Sequence, residues 1–281
     1  MLGLDPDPSR LWPAALEAAA GRDGAPAERA AAAVAAHCGL LIDAAGSACV
    51  AVKLQLACFE RLGAPGWVAM EETAAKARAA GLLVIADGKR GDVPVTAAAY
   101  AQALAGATPS PFGEIAGLGA DALTANPLLG RDALAPLLDA GAGVFLLVRT
   151  SNPGAADVQD APLAGGAPLW ERLAALTAEL GGARVGASGL ADVGAVTGAT
   201  VPDHLARMRE LMPRAVFLLP GIGAQGGAVE ALGPAFAPGR AGGLVAASRR
   251  IDRGHEASGA APAEAAATEA ERLRAAAWAL A

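Results

Sequence analysis

Within six residues, Asp87-Gly88-Lys89-Arg90-Gly91-Asp92, the chain sets two carboxylates and a lysine directly after the apolar run Leu82-Leu83-Val84-Ile85-Ala86. A short apolar run that ends in charge reads as a buried strand with polar groups at its C-terminal tip. If strand geometry persists past Asp87, then Asp87 and Lys89 stand at i and i+2 and share one side of it. Charges gathered at the mouth of a core are costly unless they pair, and such clusters concentrate where chemistry is done. The competing reading is a surface salt bridge in a loop, with Asp92 as N-cap of a helix that Val93-Pro94 opens.

Lysine usage points the same way. The chain has three lysines, Lys53, Lys76 and Lys89, against nineteen arginines. Lys53 also closes an apolar run, Ala48-Cys49-Val50-Ala51-Val52. Lysine carries a proton that a buried site can make it release, whereas arginine does not. Proton delivery beside fixed carboxylates is therefore the chemistry that this pattern offers.

The elements that must position these groups alternate along the whole chain. Candidate strands are Leu2–Leu4, Ala48–Leu54, Leu82–Ala86, Ala120–Thr124, Val144–Val148, a weak one near Val193–Val196, Ala215–Leu219 and Leu244–Ala247. Helical patterns fall around 26–45, 67–80, 93–105, 131–140, 169–180, 203–212, 226–232 and 262–280. Strand alternating with helix implies parallel strands joined by crossovers. Eight such units in this length match a (β/α)8 TIM barrel, read as one domain over residues 1–281. A doubly wound sheet is less suited, because no Gly-x-Gly-x-x-Gly follows the first strand. The first strand begins almost at Met1, so the expectation is either an open barrel floor or a natural start upstream. The connections Ala105–Gly119 and Ser151–Pro168 are long.

The strand ends can then be read as one rim. Strand one ends at Asp5, strand two at Lys53, strand three at Asp87 and Lys89, and strand five leads to Arg149-Thr150-Ser151-Asn152-Pro153-Gly154. Strand seven leads to Pro220-Gly221-Ile222-Gly223-Ala224-Gln225-Gly226-Gly227, and strand eight to Ser248-Arg249-Arg250. A Gly-rich turn offers backbone N–H groups to an anion, and a following helix adds its positive end. An arginine supplies a fork for phosphate oxygens. Either loop alone is an ordinary turn; paired in consecutive loops they point to phosphate.

Composition narrows the field further. Charged residues are 18% and aromatics 4%, so Ala, Val, Leu and Ile must build the core. A net charge of -6 argues against nucleic acid or an anionic membrane as partner. Ala30 to Val52 is apolar but interrupted by His37, Asp43, Gly46 and Ser47, which argues against a spanning helix. Cys38, Cys49 and Cys58 lack metal or redox spacing and read as buried thiols in a reducing, cytoplasmic setting. His37, His204 and His255 read as packing or surface residues, and Trp12, Trp67, Trp170 and Trp278 as packing anchors.

Asp87-x-Lys89-Arg90-x-Asp92-Val93-x-x-Thr96 closely resembles the Asp-x-Lys-x-x-Asp motif of the orotidine 5'-phosphate decarboxylase family. With Arg149-Thr150-Ser151-Asn152-Pro153-Gly154, the flanking text looks like the bacterial long-loop, type 2 subgroup. The resemblance runs from Leu4 to about Ile251. It implies a homodimeric barrel with shared active sites, forming UMP and CO2 from orotidine monophosphate in de novo pyrimidine biosynthesis, with no metal or organic cofactor. Residue by residue, it makes Lys89 the proton donor to C6 and Asp87 the carboxylate set against that of the substrate. Asp92 resembles the acid contributed across the dimer, with Thr96 beside it. Lys53 resembles the lysine linking ribose to the acid cluster, and Asp5 the ribose-binding aspartate. Ser151 matches the serine facing the pyrimidine, while Gln225 and Arg249, with Gly223 and Gly226 of the glycine-rich turn, match the phosphate grip.

Two rival readings remain. A Mg2+-dependent sugar-phosphate decarboxylase or aldolase of the same superfamily would need added acidic ligands, and the strand-two end offers Lys53 and Gln55, with Glu60 further on. A non-catalytic nucleotide-binding barrel would lack Lys89 or Asp92, and neither is lost.

Overall fold

A computed structural model describes residues 1–223 and 226–280. The chain divides into two compact units: Met1–Gly88 with Ala247–Arg274, and Lys89–Ala246 with Ala275–Ala281.

The first unit holds β1 (Leu2–Leu4), β2 (Ala51–Gln55) and most of β3 (Leu83–Arg90). They pair in parallel, with Gly3 opposite Lys53 and Lys53 opposite Ile85. Parallel strands covered on both faces need near-continuous apolar runs, and Leu2, Leu4, Val52, Leu54, Val84 and Ile85 are all buried. Gly3 donates its N–H to the Ala247 carbonyl at 2.8 Å. A Cβ on Gly3 would lie 1.9 Å from Ser248 Oγ, so a larger residue here would force the Ser248 side chain aside.

The Pro26–Ala45 helix turns Ala31, Val34, Cys38, Leu41 and Ile42 inward. It packs on the Ala64–Ala79 helix. By length and composition alone, Pro26–Ala48 could cross a membrane, and the interrupting His37 and Asp43 do not break it. Half of its apolar window is buried inside the first unit, as suits a core helix.

The second unit opens, after the end of β3, with the Pro94–Leu104 helix and an antiparallel hairpin of β4 (Ala107–Ser110) and β5 (Gly113–Ala116). The hairpin occupies the long connection where no strand is expected from sequence. Four parallel neighbours and a fifth follow: β6 (Ala122–Ala125), β7 (Gly143–Arg149), β8 (Ala191–Thr197), β9 (Ala215–Leu219) and β10 (Gly243–Val245). Within each unit the parallel strands lie in sequence order, β1-β2-β3 in the first and β6-β7-β8-β9-β10 in the second. Buried Arg209 ties this unit together, donating to the carbonyls of Met212, Ala215, Ala235 and Gly242. Burial pulls its guanidinium down to about 10.

Several expectations need correction. The segment after the Gly-rich turn is a 3-10 run, Val229–Phe236 with Pro234 inside it, not an α-helix over 226–232. Cys38 is buried, but Cys49 and Cys58 are half-buried. Trp12 and Trp170 are core anchors, whereas Trp67 and Trp278 are exposed, the latter under the Arg240 guanidinium at 3.9 Å. The histidines pack as expected: His37 against Trp12, edge to face, and His204 stacked on Trp170.

Candidate active site

In the first unit three charged residues from three elements converge. Lys53 is 5% exposed in the middle of β2, and Asp87 is 4% exposed towards the end of β3. Lys53 Nζ donates to Asp87 Oδ2 at 2.6 Å and faces Asp5 Oδ1 at 3.6 Å, an ion-pair distance too long for a hydrogen bond. Gln55, opposite Asp87 in the ladder, adds a 3.3 Å bond from Nε2 to the same carboxylate oxygen. Burial works against the Lys53 ammonium, yet the charges of Asp5 and Asp87 outweigh it and hold the group above its ordinary range. Asp5 Oδ1 is itself buried with no hydrogen-bond donor among the described residues. It is an acceptor left open beside a cation.

Arg249 is exposed and begins the short Arg249–Asp252 helix. A cavity of about 10 Å³, room for roughly one water, is lined by Asp5, His37, Ser248, Arg249 and Asp252 among others. His37, buried, organises the wall behind it. Its Nδ1 accepts from the Trp12 N–H at 3.2 Å, and its Nε2 lies 3.1 Å from Asp252 Oδ1. Nothing in local sequence pattern marks His37 for this place.

In the second unit Lys89 is exposed and has a φ of 50°, the one positive value at a non-glycine among the described residues. Left-handed backbone costs about 1–2 kcal/mol for such a residue. Its N–H donates to the hydroxyl of buried Thr124 on β6 at 2.8 Å. The i, i+2 alternation expected from the sequence therefore does not govern Lys89, although β3 formally runs to Arg90. Asp92 is not the N-cap: Val93 is, and Asp92 Oδ1 accepts the Val93 N–H at 2.7 Å. Thr96 lies in the first turn of that helix, half-buried like Asp92.

Ser151 follows β7, and its carbonyl accepts from Thr200 Oγ1 at 3.0 Å. Gly223 and Gly226 take φ values of 72° and 89°, and the Gly226 N–H returns to the Gly223 carbonyl at 3.0 Å. No α-helix stands immediately behind Gly226: the next element is the 3-10 run Val229–Phe236. Gln225 lies outside the described residues. The structure thus joins Asp5, Lys53 and Asp87, and sets Asp5 and Arg249 on one cavity wall. Among the described residues no cluster of three or more His, Cys, Asp or Glu could hold a metal ion.

A family model described as "Orotidine 5'-phosphate decarboxylase / HUMPS family" matches residues 22–261. An orotidine 5'-phosphate decarboxylase of Rhodopirellula baltica is 42% identical over 233 residues, 80% of this chain and 75% of the relative. One from Deinococcus radiodurans is 45% identical over 216 residues, 75% of this chain and 74% of the relative. The solved OMP decarboxylase of Leishmania donovani aligns with a TM-score of 0.70 at 31% identity, covering 99% of this chain and 93% of that one. UMP synthase from the same organism aligns at 0.72 and 33% identity, and there the chain spans 53% of the larger protein.

Proposed function

The chain belongs to the orotidine 5'-phosphate decarboxylase / HUMPS family, and on that footing we propose that it converts orotidine 5'-phosphate to UMP and CO2. The observation that carries the reading is the sealed Lys53–Asp87 pair with Asp5 beside it. In the sequence, β3 continues from Asp87 to the strained Lys89.

The C6–carboxylate bond breaks, CO2 leaves, and the electron pair stays on C6, a carbon with no adjacent electron sink. A fixed ammonium lowers the energy of that pair and then gives it a proton. We assign this to Lys89, which recovers its proton from solvent. Asp87, ionised and pinned by Lys53 and Gln55, opposes the substrate carboxylate more than the transition state. Ground-state opposition of this kind is a contested contributor, and preorganised charge carries more weight. Asp5, whose buried Oδ1 awaits a donor, suits a ribose hydroxyl. Arg249, Gln225, Gly223 and Gly226 suit the phosphate, whose binding energy can be used to assemble the charges. Ser151 faces the pyrimidine in this reading. The mechanism uses no metal and no organic cofactor.

The same reading makes the protein a single closed (β/α)8 barrel. Parallel strands in sequence order within each unit, and the bond from Gly3 of β1 to Ala247, support it. It also makes the protein a cytoplasmic homodimer in which Asp92 and Thr96 serve the partner's site. Val93 and Val95, which lie between Asp92 and Thr96, are 55% and 85% exposed, an apolar edge suited to a second copy.

Incubating the chain with orotidine 5'-phosphate, with and without EDTA, tests the reading by ultraviolet absorbance. UMP in both arms supports it, no conversion overturns it, and conversion lost only with EDTA would favour a Mg2+-dependent relative.

A further inference from the structure

The loop that leaves β7 is fastened by side chains to which the proposed chemistry gives no part. Buried Arg149, the last residue of β7, donates from Nε to Asp160 Oδ1 at 2.8 Å and from Nη2 to Asp160 Oδ2 at 2.9 Å. Its Nη1 donates to the Thr150 carbonyl at 2.6 Å. The Thr150 N–H donates to Gln159 Oε1 at 2.8 Å, and Gln159 Nε2 returns a bond to Thr150 Oγ1 at 3.2 Å. Two residues adjacent in sequence, Gln159 and Asp160, therefore grip the chain immediately before Ser151.

A second grip comes from the far side. Thr200 Oγ1 donates to the Ser151 carbonyl, and the Gly198 N–H donates to the Arg149 carbonyl at 2.7 Å. Gly198 approaches so closely that a Cβ there would lie 2.8 Å from Ser151 Cα. The Ser151 backbone is thus held from two directions, while no described residue is bonded to its hydroxyl. A bidentate arginine–carboxylate fork fixes direction as well as distance. The Arg149 hydrogen bonds keep the Asp160 carboxyl below the usual carboxylate range, so the fork stays charged. Asp160 remains 32% exposed, which is more open than a pair serving only to fill the core.

We propose that Arg149, Asp160 and Gln159 form a positioning clasp that aims the Ser151 hydroxyl at the substrate ring. The proposal rests on the reading of Ser151 as the residue facing the pyrimidine. Misplacing a contacting group by an ångström can cost up to about 100-fold in rate.

Steady-state kinetics with orotidine 5'-phosphate on Asp160→Asn, Ser151→Ala and the double variant test it, alongside melting curves. Asp160→Asn should lower the melting temperature, because it leaves buried Arg149 without its counter-charge, yet stay folded at the assay temperature and lose about 10- to 100-fold in kcat/KM. The double variant should be no worse than Ser151→Ala, because the clasp acts through that residue. Asp160→Glu should recover part of the loss. Full activity in Asp160→Asn, or losses that multiply in the double variant, would overturn the clasp. Full activity in Ser151→Ala would overturn both the clasp and the Ser151 assignment, while a wild-type chain that forms no UMP refutes the decarboxylase reading itself. If Asp160→Asn does not fold, Arg149→Lys, which keeps the charge and loses the fork, carries the same test.

Discussion

The Lys89 N–H meets the Thr124 hydroxyl at 2.8 Å while Lys89 holds a φ of 50°. An unfavourable backbone conformation persists only where its surroundings over-determine it, and Thr124, 1% exposed, is such a surrounding. Thr124→Val keeps the shape and removes the acceptor. It should cost about 1–3 kcal/mol of stability by orphaning a donor, and kcat should fall about 10-fold or more with KM little changed. Denaturant titration with steady-state kinetics checks both.

The Lys53–Asp87 pair should be coupled in stability. Lys53→Met leaves Asp87 buried without its ammonium and should destabilise the protein by about 3–5 kcal/mol. Combined with Asp87→Asn, which removes the deeply buried carboxylate and leaves only the more exposed Asp5 unpaired, the loss should shrink. Urea unfolding of the two single variants and the double measures that coupling.

The pH dependence of the same pair has a fixed sign. Lys53 is held above its ordinary 10.5, so its stabilising contribution is complete below that value and is lost as pH rises through the folded value. From about pH 10.5 upward the wild-type chain should lose stability more steeply than Lys53→Met. Equal slopes in melting temperature against pH would count against it.

Arg249 is exposed, so Arg249→Ala should leave the melting temperature nearly unchanged. Losing a charge-assisted bond to phosphate is worth about 1.5–3 kcal/mol, so KM should rise about 10- to 150-fold. An unchanged KM would refute its assignment to the phosphate.

Much of this scaffold is legible in sequence because short apolar runs and helical periodicity are local signals. β1, β9 and the Pro26–Ala45 helix fall at the expected bounds. β8 reads weakly because Gly194 breaks its apolar run, and that glycine is required where the Phe145 ring would meet a Cβ at 2.6 Å. The β4–β5 hairpin is hidden because its strands are only four residues each, β4 mostly half-buried and β5 exposed, and carry Pro109 and Gly113. At the site, residue types and spacing single out Asp5, Lys53 and Asp87. Thr124, His37 and Asp160 are not legible, since each matters through a partner at least eleven residues away. The left-handed turn at Lys89 has no signal in a residue type that rarely adopts it.

Proton delivery by residue 89 is tested most directly by single-turnover release of labelled CO2 from orotidine 5'-phosphate. Lys89→Ala removes the ammonium, and Lys89→Arg keeps a charge that cannot give up its proton. Both variants are expected to bind UMP and to release no CO2 on the wild-type time scale. Near-normal release from either variant would contradict the account.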